Sequence, residues 1–140
     1  FKTDFATHIP RGKQMNKNQI IKHMNALNLP INEYWILAGS ALVMHGIRPE
    51  TSDIDIGCTT KLFERLIGSR DVIVREDGSR SLDYDGVLEV FENWMAEEVV
   101  TLNELPVGSL MSIKKHKESL NREKDKKDLL LINNRIRREE

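Results

Sequence analysis

The sequence predicts an α+β domain built on a mixed sheet with flanking helices. Three observations support this class. Apolar residues with helical spacing alternate with short strand-forming runs in the first half, two Asp-Gly pairs separate strand candidates in the middle, and two helical segments follow. The 140 residues fit one domain, residues 1–140, because no repeat, low-complexity tract or Pro/Gly-rich linker divides them.

The composition excludes several classes of protein. With 39% hydrophobic residues, 31% charged residues and a net charge of −1, the chain has no strong overall attraction to nucleic acid. No apolar run approaches the roughly 20 residues of a membrane span, and the first residues lack the apolar core of a secretory signal. The single cysteine, Cys58, excludes an internal disulfide and suits a reducing compartment. We therefore expect a cytoplasmic protein without a membrane partner.

The chain is expected to begin with an irregular segment over residues 1–15, which are polar and contain a proline and a glycine. A first helix is predicted from Asn16, and Pro30 ends it. Asn16 or Asn18 can cap its start. Its apolar stripe, with helical spacing, consists of Ile20, Ile21, Met24 and Leu27.

Two strands with a helix between them are predicted next. Residues 34–38 are aromatic and β-branched, which is typical of a buried strand. Gly39 and Ser40 predict a turn, and residues 41–47 have the composition of a short helix. Residues 52–58 alternate polar and apolar side chains, the pattern of a half-buried strand.

The middle of the chain combines one helix with several short strands. Thr60 can cap a helix over residues 61–68, whose apolar residues share one face. The Asp-Gly pairs at 77–78 and 85–86 are strong hairpin signals, so an antiparallel meander is predicted. Its strands are residues 71–75, 79–84 and 87–92, and residues 97–102 are one more strand candidate.

Two helices are predicted at the C-terminal end. Ser109 can cap the first, which continues to about Leu120, and residues 124–138 form the second. The predicted order is therefore helix, strand, helix, strand, helix, meander and two helices.

Asp53 and Asp55 are the first candidate site. They lie two residues apart on a predicted strand, so both carboxylates point to the same face. Two carboxylates held this close repel each other, and a divalent cation such as Mg²⁺ (or Mn²⁺) between them removes that cost. Taken alone, such a pair is more often a solvated strand face.

Gly39 and Ser40 are the second candidate site. A glycine where a strand passes into a helix lets the backbone approach a ligand, and the first amides of the helix attract anions. The Ser40 hydroxyl can donate to a phosphate oxygen. Alternatively, Ser40 is only the cap of the helix.

Together these two sites form a recognisable pattern. The stretch "GSALVMHGIRPETSDIDI", residues 39–56, resembles the signature of the nucleotidyltransferase superfamily, which has the polymerase-β-like fold. That signature is Gly-Ser or Gly-Gly, a short helix, and an acidic pair flanked by apolar residues. The presence of Gly46, Arg48 and Thr51 before the acidic pair is similar to a small bacterial and phage branch that includes toxin-type nucleotidyltransferases of abortive-infection systems.

The resemblance assigns roles to individual residues. It implies that Gly39 and Ser40 bind phosphate and that Asp53 and Asp55 bind metal. Arg48 is then either a phosphate contact or a surface residue that orients the loop before the aspartates.

Many members of the superfamily have a third acidic residue on a later antiparallel strand, where it helps to bind metal and can act as the base toward the attacking hydroxyl. Glu89, in "VLEVFE", is the best match, with Glu in place of the more usual Asp. Asp85 is the second choice. The alternative for Glu89 is an exposed strand residue.

The C-terminal helices resemble the same branch. Residues 109–132 contain the pattern K-x-x-x-x-R-x-K-D-x-x-D-L, formed by Lys117, Arg122, Lys124, Asp125, Asp128 and Leu129. In that branch a lysine and an aspartate of this region approach the active site. The resemblance therefore implies that Lys117 neutralises triphosphate charge and that Asp128 orients a basic partner. The alternative is a solvated helix face on which opposite charges pair.

The remaining metal-ligand and aromatic candidates are expected to be structural. His8, His23, His45 and His116 show no metal-ligand spacing and Cys58 has no partner, so no zinc site is expected. His45 follows the predicted phosphate turn and is expected to be structural. Trp35 and Trp94 are expected to be core aromatics.

The function implied is a metal-dependent nucleotidyltransferase that moves an NMP from an NTP, such as ATP, to a hydroxyl acceptor and releases pyrophosphate. A tRNA end, a small molecule such as an antibiotic and a protein side chain all remain open as the acceptor. A local basic strip, formed by residues 113–117, Arg122, Lys124 and residues 135–138, favours RNA, whereas the near-neutral net charge argues against a large RNA footprint. The alternative is a catalytically weak or inactive nucleotide-binding or antitoxin-type protein of the same fold, and an active enzyme of this branch can have a cognate antitoxin-type partner.

Overall fold

The computed structural model describes residues 14–139, and within them it confirms an α+β architecture with five helices and a seven-stranded mixed sheet. The helices are α1 (Lys17–Leu27), α2 (Ala38–Met44), α3 (Thr60–Ile67), α4 (Leu110–Leu120) and α5 (Lys126–Glu139), with one 3₁₀ turn at Glu123–Asp125. The strands are β1 (Tyr34–Leu37), β2 (Ile54–Cys58), β3 (Ile73–Val74), β4 (Arg80–Asp83), β5 (Leu88–Glu92), β6 (Val99–Leu102) and β7 (Leu105–Gly108). Most of the predicted N-terminal segment, residues 1–13, lies outside the described residues.

The strand order across the sheet is β3-β4-β5-β2-β1-β7-β6. The predicted antiparallel meander is confirmed, because β3 pairs with β4 and β4 with β5 in antiparallel register. The central strand β2 is antiparallel to β1 and parallel to β5, while β1 is parallel to β7. The meander β3-β4-β5 on one side and the hairpin β6–β7 on the other therefore flank the central pair β1–β2.

The two faces of the sheet differ in chemistry. Ile54, Ile56 and Val90 are fully buried in the hydrophobic core. Since side chains alternate along a strand, Asp55 and Glu89 project from the opposite face. We call this opposite side the acidic face of the sheet.

The junction between β1 and α2 differs from the prediction. Gly39 and Ser40 do not form a turn before the helix: α2 begins at Ala38, so both residues lie in its first turn. Ala38 itself has the left-handed φ of 57° that changes the chain direction. The Ser40 hydroxyl donates to the carbonyl of Leu37 (2.7 Å). This hydrogen bond joins the first turn of α2 to the last residue of β1.

The helix caps agree with the sequence in two of three cases. Asn16 caps α1 through a capping box with Gln19, and Ser109 caps α4 by accepting from the amide of Ser112. The cap of α3 is Thr59 rather than Thr60. The Thr59 hydroxyl accepts from the amide of Leu62 (3.1 Å), which makes Thr60 the first helical residue.

The last hairpin of the sheet was predicted only in part. The strand expected at residues 97–102 is confirmed as β6, but its partner β7 was not predicted. Pro106 and Gly108 argue against a strand on local grounds. All four residues of β7 are buried, however, between β1 and β6, so tertiary packing outweighs the local preference.

Among residues 14–139, no helix is both long and apolar enough to cross a bilayer.

Candidate functional site

Three carboxylates converge on the acidic face of the sheet. Asp55 lies on β2, Asp53 immediately precedes that strand, and Glu89 on β5 is the direct register partner of Asp55. One carboxylate oxygen of each residue lies within 4.8 Å of those of the other two. All three side chains are partly buried, so the group is sheltered from bulk water without being closed off. We call these residues the acidic triad.

The acidic triad concentrates negative charge where water screens it poorly. Burial, together with the charges of Asp53 and Glu89, raises the pKa of the Asp55 carboxyl to about 7. Burial and the charges of Asp53 and Asp83 also raise the pKa of Glu89. Three clustered carboxylate oxygens are the ligands that hard divalent cations prefer, and a bound cation would remove this repulsion. The donor set therefore fits a metal ion.

Asp85, the second choice for the third carboxylate, has a different role. Its carboxylate accepts hydrogen bonds from the amides of Val87 (3.0 Å) and Leu88 (2.8 Å). Nε2 of His23 lies 2.7 Å from its other oxygen. Burial alone would raise the pKa of Asp85, but these hydrogen bonds lower it overall. Asp85 thus shapes the turn that begins β5, and Glu89 is the residue that joins the aspartates.

Ser40 is placed next to the acidic triad, but its hydroxyl is already engaged. The residue is 1% exposed. Its hydroxyl donates to the Leu37 carbonyl and accepts from the amide of Asp55 (3.1 Å). Ser40 therefore ties β1, α2 and β2 together at the position of Asp55. The cap of α2 is Leu37, so the alternative that Ser40 caps the helix is wrong, while donation from Ser40 to a phosphate stays a prediction.

Gly39 allows a close approach of Arg48. A Cβ atom at residue 39 would lie 2.8 Å from Nη1 of Arg48 and 3.3 Å from the Thr51 hydroxyl oxygen. The missing side chain therefore lets the Arg48 guanidinium lie against the first turn of α2. Since α2 has only seven residues, this guanidinium is a stronger source of positive charge here than the helix end.

The C-terminal helices bring a buried ion-pair network to the same region. Nζ of Lys117 lies 3.2 Å from Oδ1 of Asp125 and 3.2 Å from Oδ2 of Asp128. The same oxygen of Asp128 is 3.6 Å from Nη1 of Arg48. Lys117 and Asp125 are only 6% and 2% exposed, so the alternative of a solvated helix face does not describe them. Arg48 and Lys117 are instead held side by side through Asp128.

Asp125 and Arg122 complete the network. The Arg122 guanidinium donates to both carboxylate oxygens of Asp125, at 2.7 and 3.0 Å. The hydrogen bond from Arg122, and that from Lys117, lower the pKa of Asp125 despite its burial. Sequence reasoning placed Asp125 on the charged pattern but gave it no role. The structure shows it as the buried anchor of Lys117.

These groups line one cavity of about 720 Å³. The acidic triad, Gly39 and the network of Arg48, Lys117 and Asp128 form one part of its wall. Phe91, Trp94 and His116 form another part, and we call these three residues the aromatic wall. The cavity thus combines carboxylates, cations and aromatic rings.

Trp94 was predicted to be a core aromatic, and it packs against the core without being fully buried in it. Trp35 is 7% exposed and packs in the core as expected, whereas Trp94 is only partly buried and lines the cavity. One signal for the aromatic wall was present in the sequence: Phe91 follows Glu89 by two residues and therefore shares its face of the strand. The position of Trp94 depends on a turn after β5 that no local pattern reveals.

The other predicted structural residues are placed as follows. Nε2 of His45 lies 2.8 Å from the carbonyl oxygen of Gly108, which confirms a structural contact. Cys58 is buried, and burial raises the pKa of its thiol to about 12. His8 lies outside the described residues.

Comparison of the chain with protein-family models, with curated proteins and with solved structures gives no match. The function is therefore inferred from the residues and geometry of the site itself.

Proposed function

We propose that the protein is a metal-dependent nucleotidyltransferase that moves an NMP from an NTP to a hydroxyl acceptor and releases pyrophosphate. The acidic triad is the observation that carries the proposal: three carboxylates converge within 4.8 Å at the wall of a cavity that also presents Arg48 and Lys117. Such a cavity offers anionic groups for a cation and cationic groups for phosphates. The order of β1, α2 and β2 also supports the resemblance to the superfamily.

Mg²⁺ or Mn²⁺ is the metal that suits this donor set, because both prefer carboxylate and phosphate oxygens. Asp53, Asp55 and Glu89 would hold it. When bound, it supplies charge neutralisation and polarises the phosphate that is attacked.

The phosphates would be bound by residues that are already positioned. Arg48 lies against Gly39, and Lys117 is fixed between Asp125 and Asp128. Because Asp128 contacts both cations, their charges stay close together while each is partly balanced. Positioned charge of this kind stabilises charge that develops on a leaving pyrophosphate without reorganisation cost.

The transfer itself is an in-line displacement. The acceptor hydroxyl oxygen forms a bond to the α-phosphorus, and the bond from that phosphorus to the bridging oxygen breaks. The electron pair of the broken bond leaves with pyrophosphate. A carboxylate oxygen of Glu89 takes the proton of the hydroxyl.

An enzyme is favoured over an inactive nucleotide-binding or antitoxin-type protein. The inactive alternative would be favoured by a Glu89 that points away from the aspartates. Glu89 instead shares their face and pairs with Asp55. The acceptor, whether a tRNA end, a small molecule or a protein side chain, is left to experiment, and so is a cognate antitoxin-type partner.

The proposal is tested by pyrophosphate release and by transfer of label from α-³²P NTPs, with Mg²⁺ or Mn²⁺ and separate pools of tRNA, small molecules and protein. We expect Asp53→Asn and Asp55→Asn to abolish both signals. Asp83→Asn is the matched control, since Asp83 lies on the neighbouring strand opposite Glu89 and the amide oxygen of an asparagine can still accept from the Gly86 amide. Unchanged turnover in the Asp53 and Asp55 variants would overturn the assignment. NTP binding that needs no metal and gives no pyrophosphate would point to the inactive alternative.

A further inference from the structure

Trp94 is held at the cavity by a sharp turn after β5. Asn93 adopts a left-handed φ of 58°, and its amide donates to the carbonyl of Cys58 (2.7 Å). The carbonyl of Trp94 then accepts from Nε1 of Trp35 (2.6 Å). The chain therefore folds back across β2 instead of continuing away from the sheet.

Gly57 makes this crossing possible. It follows Asp55 by two residues and shares its face of the strand. A Cβ atom at Gly57 would overlap both the carbonyl oxygen of Trp94 and Nε1 of Trp35. Only a residue without a side chain lets Trp94 lie this close to the strand that carries the aspartates.

The ring of Trp94 is fixed by two other members of the aromatic wall. Its centroid is 4.9 Å from that of Phe91, in an edge-to-face arrangement at 80°. It is 4.8 Å from the imidazole of His116 on α4, at 53°. Both distances are typical of favourable aromatic pairs. The three rings thus form a fixed surface at the cavity.

The groups of the cavity follow one another in a fixed order along the acidic face. Gly39 and Arg48 lie at the end where β1 passes into α2, the acidic triad lies next, and Phe91 follows Glu89 by two strand residues. Two residues of a strand span roughly 7 Å, a distance comparable with the width of a ribose. An NTP has the same order of parts: terminal phosphates, α-phosphate, sugar and base.

The aromatic wall is also suited to an uncharged planar group. Burial, and then the charges of Arg122 and Lys117, lower the pKa of His116, so its imidazole is neutral at neutral pH. The nearby cation Lys115 is paired with Glu97 at 2.8 Å. Arg122 and Lys117, the other cations near His116, pair with Asp125. The Arg75 guanidinium lies 5.8 Å from the centroid of Phe91, so this end of the cavity combines aromatic rings with cations that already have partners.

We infer that Trp94, supported by Phe91 and His116, is the stacking surface for the nucleobase of the NTP. The inference rests on the proposed function and adds to it the surface on which the nucleobase binds. Stacking on an aromatic side chain stabilises a bound base and tolerates different bases, since every base has a π-face.

The test compares the binding of each of the four NTPs with that of inorganic tripolyphosphate, by calorimetry in the presence of Mg²⁺. Tripolyphosphate carries the same chain of three phosphates without the sugar and the base. In Trp94→Leu we expect the affinity for the best-bound NTP to fall about tenfold, while that for tripolyphosphate changes less than twofold. Trp94→Phe keeps a ring and should recover most of the NTP affinity.

A second measurement needs no variant. The chain has two tryptophans, of which Trp35 is buried and Trp94 lines the cavity. We expect NTP to quench the tryptophan fluorescence of the unaltered protein and tripolyphosphate to leave it unchanged. This readout stands even if Trp94→Leu does not fold.

The other outcomes overturn the inference in distinguishable ways. Equal loss of NTP and tripolyphosphate affinity would make Trp94 a structural residue. Unchanged affinity for both ligands, with pyrophosphate release intact, would remove the base subsite and leave the proposed function standing. A raised KM for an RNA acceptor with unchanged NTP affinity would assign the rings to a base of the acceptor. If neither ligand binds the unaltered protein in the presence of metal, the proposed function fails and the base subsite fails with it.

Discussion

Glu89 lies directly opposite Asp55 in the parallel pairing of β2 and β5. Backbone hydrogen bonds of the sheet therefore fix the distance between these two carboxylates. Sites built on strands hold their geometry better than sites on loops. The acidic triad is thus a property of the sheet register, and shifting the pairing by one residue would turn Glu89 to the other face.

We predict that Glu89→Gln lowers the rate of pyrophosphate release by at least about 100-fold, a typical loss for a general base. The variant should fold as well as the unaltered protein, since it removes one of three repelling charges. Steady-state kinetics and thermal melting measure the two effects. Asp83→Asn, opposite Glu89 on β4, should retain activity. A Glu89→Gln enzyme with unaltered turnover would leave Glu89 without a chemical role.

The pKa of Asp55 predicts how stability depends on pH in the absence of metal. The carboxyl titrates at about 7 in the folded protein, against an ordinary value of 3.8. The folded state therefore keeps a proton that the unfolded chain releases, so stability decreases as the pH rises from about 4 to about 7. In EDTA we expect a lower melting temperature at pH 8 than at pH 5, and saturating Mg²⁺ should raise the value at pH 8.

Asp55→Asn is the control for this dependence. It removes the ionised carboxylate, so without metal at pH 8 the free energy of unfolding should increase, on the order of 2 kcal/mol. The decrease in its melting temperature from pH 5 to pH 8 should be smaller than that of the unaltered protein, and saturating Mg²⁺ should stabilise it less. If the variant has a lower melting temperature than the unaltered protein at pH 8, the carboxylates do not repel one another as the geometry indicates.

Lys117 should be essential for stability as well as for activity. Lys117→Met leaves Asp125 and Asp128 without their shared cation, and loss of one partner of a buried ion pair typically costs about 3–5 kcal/mol. Lys115→Met, two residues away on α4, should cost less than about 1 kcal/mol, since Lys115 pairs with Glu97 at an exposed position. Urea denaturation measures both values, and equal costs would contradict the buried network.

Gly39→Ala should act on phosphate binding through Arg48. The added methyl group would meet Nη1 of Arg48 at 2.8 Å and displace the guanidinium from the start of α2. We expect the KM for NTP to rise about tenfold, which corresponds to the loss of one charged hydrogen bond. Ala41→Gly, in the same helix, is the matched control for backbone effects. A larger loss of stability than of affinity in Gly39→Ala would show that the glycine serves folding alone.

Much of the acidic triad could be predicted from the sequence because strand periodicity is a local property. The spacing of Asp53 and Asp55 places both side chains on one face, and the apolar-acid-apolar pattern around Glu89 does the same for β5. The meander could likewise be predicted from its two Asp-Gly turns. Each of these features depends on residues within a few positions of one another.

The features that were missed depend on contacts between distant residues. β7 contains Pro106 and Gly108, and its burial beside β1 outweighs their local preference. Trp94 reaches the cavity only because Gly57, far away in sequence, leaves room for its carbonyl. The Ser40 hydroxyl accepts from the strand amide of Asp55, which follows from the packing of α2 against β2. The residues in each of these contacts are too far apart in sequence for a local pattern to predict them.

The contact of Arg48 with Asp128 determines when the cavity is completed during synthesis of the protein. The strands that carry the carboxylates leave the ribosome before α4 and α5, and a domain generally folds as a unit. A nascent chain therefore exposes its carboxylates before Lys117 and Asp128 exist to complete the opposite wall. The cavity is therefore complete only after residue 128 has emerged and docked, and the proposed nucleotide transfer would begin only then.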